Sequence, residues 1–181
     1  MIPQVLLTGL GKVAFALLIG AVGVFMGVKV IARLAKLGDT DEQLQKGNNA
    51  VAILFAGSVI ALGLQIQPAT NAAFATLDFL RRDESFSVAV VGRFLGYAAA
   101  HAALALVIGT IVIGVGVGVF LQLTRKLDEL EEIRKGNIAP AIVLASVMIV
   151  LAVLTAPGLE MALNGILPIP PLPANVQLNP S

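Results

Sequence analysis

Four apolar stretches, each long enough to cross a lipid bilayer as a helix, constrain this chain more than any other feature. They are separated by charged or proline-containing segments and cover about residues 5–31, 50–66, 97–123 and 139–156. A bilayer core of roughly 30 Å requires about 20 apolar residues in helical conformation. With 57% hydrophobic residues, 13% charged residues and a mean hydropathy of +0.93, the chain lies outside the range of soluble proteins. The sequence therefore predicts an all-α integral membrane protein with four transmembrane helices.

Basic residues beside the spans cluster in two short loops. The first loop carries Lys29, Arg33, Lys36 and Lys46, and the second carries Arg125, Lys126, Arg134 and Lys135. Under the positive-inside rule both loops face the cytoplasm, which puts both termini in the periplasm. The twelve basic and eleven acidic residues nearly cancel, so no strong field favours nucleic acid as a partner.

The chain also repeats itself at an offset of 89 residues. In the first copy the matching positions are Asp39, Glu42, Lys46, Gly47, Asn48, Ala50, Ala52, Ile53, Ala56, Ile60 and Leu62. Because each copy contains two spans, both copies enter the membrane in the same direction. The sequence predicts two tandem, parallel two-helix repeats, covering about residues 5–67 and 94–156, related by a pseudo-twofold axis along the membrane normal.

Two further segments lie outside the spans. Residues 69–82 place Ala73, Leu77 and Leu80 on one side at helical spacing, which predicts a short helix at the membrane interface between the repeats. The four-span domain then covers residues 1–165. The proline-rich tail, residues 166–181, is predicted to be extended, either as a solvent-facing coil or as a strand that docks on a periplasmic partner.

Each cytoplasmic loop ends in a Lys-Gly-Asn triplet, formed by Lys46, Gly47 and Asn48 in the first copy and by Lys135, Gly136 and Asn137 in the second. Acidic residues come first in each loop and basic residues last, which matches the dipole of a short helix. Glycine suits the left-handed residue that ends a helix, and asparagine suits the cap of the next one. We expect a structural corner; the alternative is a binding role in which the acidic loops hold a basic cytoplasmic partner or line a mouth.

The doubled pattern of a span, an acidic stretch, Lys-Gly-Asn and an alanine-rich span resembles a bacterial inner-membrane family, the Domain of Unknown Function 350. Residues 46–52 and 131–139 are the most specific parts of the resemblance, which covers most of residues 5–160. It implies a four-span protein of the bacterial inner membrane without an assigned activity. Some family members are encoded near phage-shock or membrane-remodelling proteins.

Glycines recur at helical spacing in two of the spans. Gly20, Gly23 and Gly27 lie in the first span, and Gly114 and Gly118 lie in the third. Small residues let helix backbones approach closely, and this packing drives association in lipid. The spacing predicts helix packing at these positions, either within one subunit or between the subunits of a homo-oligomer.

Polar residues within the spans are few. Lys12 and His101 occupy equivalent positions of the two copies near the outer ends of long spans. They are candidates for a polar path, although a side chain near a span end also reaches the interface at low cost. His101 has small neighbours that leave room for a haem or chlorin, which it could bind as the single protein axial ligand or together with a second ligand from a neighbouring subunit. Gln65, Gln67 and Asn164 are expected to meet head groups or water.

Nothing in the sequence matches a conventional active site. The chain has no cysteine and one histidine, which excludes thiolate chemistry and any site that needs two histidines from one chain. Phosphate-loop, nucleophile-elbow and zinc-protease motifs do not occur. We therefore expect no enzyme, no metal and no cofactor, and a structural or scaffolding subunit of a homo-oligomer or of a larger inner-membrane complex. A small ion channel is the alternative, and a haem- or pigment-binding subunit using His101 is the third possibility.

Overall fold

The computed structural model describes residues 2–83, 88–123 and 128–166. Within these ranges there are six helices and no strands: α1 Ile2–Leu34, α2 Thr40–Gln45, α3 Asn49–Asp83, α4 Val88–Leu123, α5 Glu129–Arg134 and α6 Ile138–Ile166. Four of them are long and apolar enough to cross a membrane, over Gly9–Leu34, Asn49–Asp78, Val91–Leu123 and Ile138–Gly165. The predicted all-helical fold with four candidate spans is confirmed. The tail from residue 167 onward lies outside the described residues.

The long helices extend further than the apolar runs predicted, most of all α3. The separate interfacial helix expected over residues 69–82 is instead the C-terminal part of α3, which continues through Pro68. A proline removes one backbone hydrogen bond, and packing against neighbouring helices compensates for it inside a membrane bundle. After Pro68, Ala73 and Leu77 are buried in a cluster with Phe94 of α4, which holds this segment in the bundle.

Helix α3 lies at the centre of the bundle. It packs against α1, α4 and α6, whereas α1 and α6 occupy opposite edges and make no extended contact with each other among the described residues. In its most apolar 18-residue stretch, α3 has 56% of its residues buried, against 17% for α1. The outer faces of α1 and α6 are therefore left for lipid or for another protein.

The closest helix contacts depend on glycine. A Cβ atom added at Gly57 of α3 would stand 2.5 Å from the Cβ of Ala145 and 2.9 Å from its Cα, so α3 and α6 touch nearly backbone to backbone. At the next residue of α3, the buried Ser58 hydroxyl donates a 2.6 Å hydrogen bond to the carbonyl of Gly27 in α1. These contacts fix the spacing of the neighbours of α3.

Candidate functional site

The two Lys-Gly-Asn corners are built alike. The loop helices α2 and α5 each have six residues, and their first turns are capped by Asp39 and Asp128. Gly47 and Gly136 have φ angles of 75° and 95°, in the left-handed region that favours glycine. The following residues begin α3 and α6, so each corner turns a loop helix into a long apolar helix.

The asparagines of the two corners differ in what they bind. Asn48 Oδ1 accepts from the backbone N–H groups of Ala50 and Val51, and Asn137 Oδ1 accepts from that of Ala139. Asn48 Nδ2 also donates to the carbonyls of Ile133 and Arg134 at the end of α5, at 3.3 and 3.0 Å. The first corner thereby joins the second, and the two corners lie side by side.

The charges of the corners are compensated locally. Lys46 pairs with Glu42, and Lys135 pairs with Glu131 at 3.0 Å and with Glu132 at 3.6 Å. The hydrogen bond and charge of Glu131, together with Glu132, raise the pKa of the Lys135 ammonium above its usual value. These pairs are exposed and contribute little to stability. They also reduce the acidic charge that the second loop offers to a basic partner.

The predicted helix-packing glycines divide into two groups. Gly23 and Gly27 are buried against α3, where added Cβ atoms would meet Ile66 at 2.6 Å and Val59 at 3.3 Å. Added Cβ atoms at Gly20, Gly114 and Gly118 would meet nothing within 4 Å, so these three do not take part in packing within the subunit.

The spacing rule missed the glycines that do pack in the second half of the chain. Gly109 and Gly116, the repeat counterparts of Gly20 and Gly27, contact Leu62 and Met148 respectively. By spacing alone, Gly114 and Gly118 look as suitable for close packing as Gly109 and Gly116. Only the offset of 89 residues from the first span could have indicated the latter two.

Lys12 is held between α1 and α3. Its ammonium lies 2.7 Å from Asp78 Oδ2 and 5.3 Å from the centre of the Phe74 ring, and 26% of its side chain is exposed. An ion pair and a cation–π contact both lower the cost of a charge near the bilayer. The arrangement matches a charge anchored near the end of a span, and Lys12 has no described contact with His101.

His101 is fully buried on α4. Its Nδ1 lies 3.1 Å from the carbonyl of Tyr97, and the two rings lie 4.2 Å apart at a tilt of 34°. Nε2 is buried without a hydrogen-bond partner among the described residues. Because the ring is enclosed, a planar macrocycle would have to separate the packed helices to reach Nε2.

Gln65 lies deeper in the bundle than its position in the sequence suggested. Instead of meeting head groups or water, it is fully buried, and its Nε2 donates to Ala152 O at 2.9 Å and Thr155 Oγ1 at 2.7 Å. It therefore joins α3 to α6, because α3 continues well past the proline at which the second span was predicted to end. Gln67 and Asn164 are exposed.

The described residues hold no group of three or more histidine, cysteine, aspartate or glutamate side chains able to bind a metal ion. Four long apolar helices with two capped corners at one end define a multi-pass helical membrane protein. The chain belongs to the family described as Domain of Unknown Function (DUF350), whose model matches residues 5–159. The predicted family is thus confirmed. No curated protein and no solved structure matches the chain.

Proposed function

We propose that this protein is a non-catalytic structural subunit of the bacterial inner membrane that assembles side by side with further copies of itself. One observation carries the proposal. The long helices form two pairs, α1 with α3 and α4 with α6; the groove of the second pair is filled by α3, whereas the corresponding groove of the first pair is open. The two pairs correspond through the offset of 89 residues. Helix α5 begins 89 residues after α2, and α6 begins 89 residues after α3.

The filled groove lies between α4 and α6. At Gly109 the bare backbone of α4 receives the side chains of Leu62 and Gln65 from α3, where an added Cβ would meet them at 2.9 and 3.2 Å. One turn further along, Ala69 of α3 is buried in a cluster with Ala105, Leu159 and Leu163. Small residues on both sides bring these helices close together, the type of packing that drives helix association in lipid.

The open groove lies between α1 and α3 and encloses about 330 Å³. It is lined by the repeat counterparts of the filled groove, among them Ala16, Gly20, Gly63 and Thr70. Ala16 and Gly20 are exposed, whereas their counterparts Ala105 and Gly109 are buried. The first helix pair thus offers a surface of the same kind with no helix of its own chain in it.

The helix that would fill this groove is α6 of a second copy, the counterpart of α3. On α3 the face used inside the chain consists of the buried residues Ala61, Gln65, Ala69, Ala73 and Thr76. On α6 the counterparts are all exposed, namely Val150, Leu154, Gly158, Ala162 and Gly165. The face carries three small residues and two larger apolar ones at helical spacing and no charge, which suits a helix contact within lipid.

This contact joins different surfaces of two copies, so it is heterologous, and a heterologous contact generates a ring where its rotation closes. The two repeats themselves are parallel copies, as each contains two spans. A strict pseudo-twofold axis would pair α1 with α6 as closely as it pairs α4 with α3. In our proposal, α1 of one copy instead pairs with α6 of the neighbouring copy.

Cysteine cross-linking tests the proposed contact, and the chain has no cysteine of its own to interfere. Gly20→Cys combined with Leu154→Cys places thiols at the counterparts of Gly109 and Gln65, whose Cβ positions are 3.2 Å apart. Disulfides require Cβ separations of about 3.5–4.5 Å. We expect oxidation of native membranes to give covalent dimers and higher multimers of this variant on denaturing gels.

The controls come from the same chain. Gly109→Cys with Gln65→Cys should form its disulfide within one chain and remain at monomer mass. Leu18→Cys with Leu154→Cys, which moves the thiol to another exposed face of α1, should cross-link weakly. Equal multimer formation by the Leu18 and Gly20 pairs would refute the specific contact.

For orientation, we propose that α2, α5 and their basic residues face the cytoplasm, with both ends of the four-helix domain in the periplasm. The support is the positive-inside rule applied to the short loops. Lys29 and Arg33 at the end of α1 and the paired Lys46 and Lys135 all lie on that side.

A small ion channel is the second candidate, favoured by buried polar groups among the apolar helices. Gln65 Oε1 and His101 Nε2 are both buried without a partner among the described residues, and polar residues within spans often mark ion pathways. Ion flux into liposomes that is lost on changing His101 and Lys12 would support this function. Flux equal to that of empty liposomes would exclude it.

A further inference from the structure

A second groove, between α1 and α4, has a different chemistry. It encloses about 770 Å³ near the end of α1 that leads into α2. Its walls include Phe25, Met26, Lys29 and Arg33 from α1, and Thr110 and Gly114 from α4. The groove is therefore apolar along its length and basic at one end.

The groove results from side chains that α4 lacks. At the offset of 89 residues, Phe25 and Lys29 of α1 correspond to Gly114 and Gly118 of α4. Cβ atoms added at either glycine would meet nothing within 4 Å, so the space beside them is open. Gly114 thus leaves room on the α4 side of the groove, and neither glycine contacts another described helix of the chain.

Lys29 and Arg33 are one helical turn apart, so they lie on the same face of α1. Both are exposed, and neither forms an ion pair with any carboxylate of the described residues. The Lys29 ammonium lies 5.6 Å from the centre of the Phe25 ring. In this respect they differ from Lys46 and Lys135, which are each paired with glutamate in their own loop.

We propose that this groove binds an anionic glycerophospholipid, with the phosphate between Lys29 and Arg33 and an acyl chain along the apolar wall. Basic pockets between transmembrane helices recognise anionic head groups. Guanidinium and ammonium groups form strong, charge-assisted hydrogen bonds to phosphate oxygens. The apolar wall formed by Phe25 and Met26 belongs to the candidate span Gly9–Leu34, at the depth of lipid chains and not of a soluble anion.

Native mass spectrometry of the full chain in mild detergent tests the site, with phosphatidylglycerol titrated against phosphatidylcholine. We expect the wild-type protein to retain phosphatidylglycerol preferentially, and each of Lys29→Gln and Arg33→Gln to weaken that binding about 5-fold. A factor of this size is the equivalent of about 1 kcal/mol for a basic residue near a lipid surface. Lys46→Gln and Lys135→Gln, which remove paired cations, serve as the matched controls.

A further variant separates the groove from the charge. Gly114→Phe restores on α4 the ring found at position 25 of α1 and fills the groove while leaving both cations in place. We expect this variant to lose the preference as well. An unchanged preference in the Lys29→Gln/Arg33→Gln double variant would overturn the proposal. Equal losses in the Lys46→Gln control, or equally effective competition by soluble glycerol phosphate, would also overturn it.

Discussion

Gly57→Ala is expected to lower the free energy of unfolding, although alanine is a better helix former than glycine. Its methyl group would lie 2.5 Å from the Cβ of Ala145, well inside van der Waals contact, so α3 and α6 must move apart. Overpacking of this kind costs about 1–3 kcal/mol. Titration of the purified protein with a denaturing detergent, followed by circular dichroism, measures the change.

The same chain supplies the control and the rescue for this prediction. Gly96→Ala adds the same methyl group to an exposed part of α4 where nothing lies within 4 Å, and it should leave stability unchanged or slightly raised. Combining Gly57→Ala with Ala145→Gly removes the 2.5 Å contact between methyl groups but leaves the new methyl group 2.9 Å from the Cα of residue 145, so it should recover only part of the loss. If Gly57→Ala and Gly96→Ala unfold alike, the close approach of α3 and α6 is wrong.

The second large effect is expected at the corner asparagines, where Asn48→Ala should destabilise more than Asn137→Ala. Both variants lose a helix cap, which costs about 0.5–2 kcal/mol. Asn48→Ala also removes the donor to the carbonyls of Ile133 and Arg134, and each such hydrogen bond contributes about 0.5–1.5 kcal/mol. The same denaturing titration compares the two variants.

Aspartate variants separate capping from the link between the corners. Asn48→Asp keeps the oxygen that accepts from Ala50 and Val51. It loses the Nδ2 donor to Gln43 and to the carbonyls of α5 and sets a carboxylate against those carbonyls, so it should be destabilising although the cap is retained. Asn137→Asp keeps the acceptor for Ala139 but replaces the exposed Nδ2 donor to Glu132 with a carboxylate, so it should cost less than Asn48→Asp without being neutral. Equal destabilisation by the two alanine variants would contradict the account of how the corners join.

The fold was largely predictable because each of its main features rests on a local rule. Spans follow from apolar length, and the corners follow from residue types that have one conformational preference each. Gly47 and Gly136 take the left-handed conformation and the following asparagines cap α3 and α6, in agreement with those preferences. Local rules of this kind do not depend on where neighbouring helices lie.

Features that depend on tertiary contact were less predictable. Pro68 resembled a helix end, yet packing of the following residues against α4 continues α3 through it. From its place near the end of the predicted second span, Gln65 was expected to contact lipid head groups or water, yet its hydrogen-bond partners lie on α6. Glycine spacing alone could not distinguish Gly116, which packs against Met148, from Gly114 and Gly118, which face open space.

The repeat explains why the two halves of the chain have different surfaces. In this structure the second copy leaves exposed the face that the first copy buries against the second. Here the buried face of α3 around Gln65 and Ala69 corresponds to the exposed face of α6 around Leu154 and Gly158. In the proposed assembly, a further copy would cover this face and would also cover Gly20 on α1.

Native mass spectrometry of the protein extracted from its own membrane in mild detergent tests self-assembly most directly. We predict a mass equal to a whole-number multiple of the 18.7 kDa chain, greater than one. We also predict that Gly20→Trp, which fills the open groove between α1 and α3, converts the complex to monomers. A wild-type protein that is monomeric throughout, or a Gly20→Trp variant that keeps the same multimer, would contradict the account.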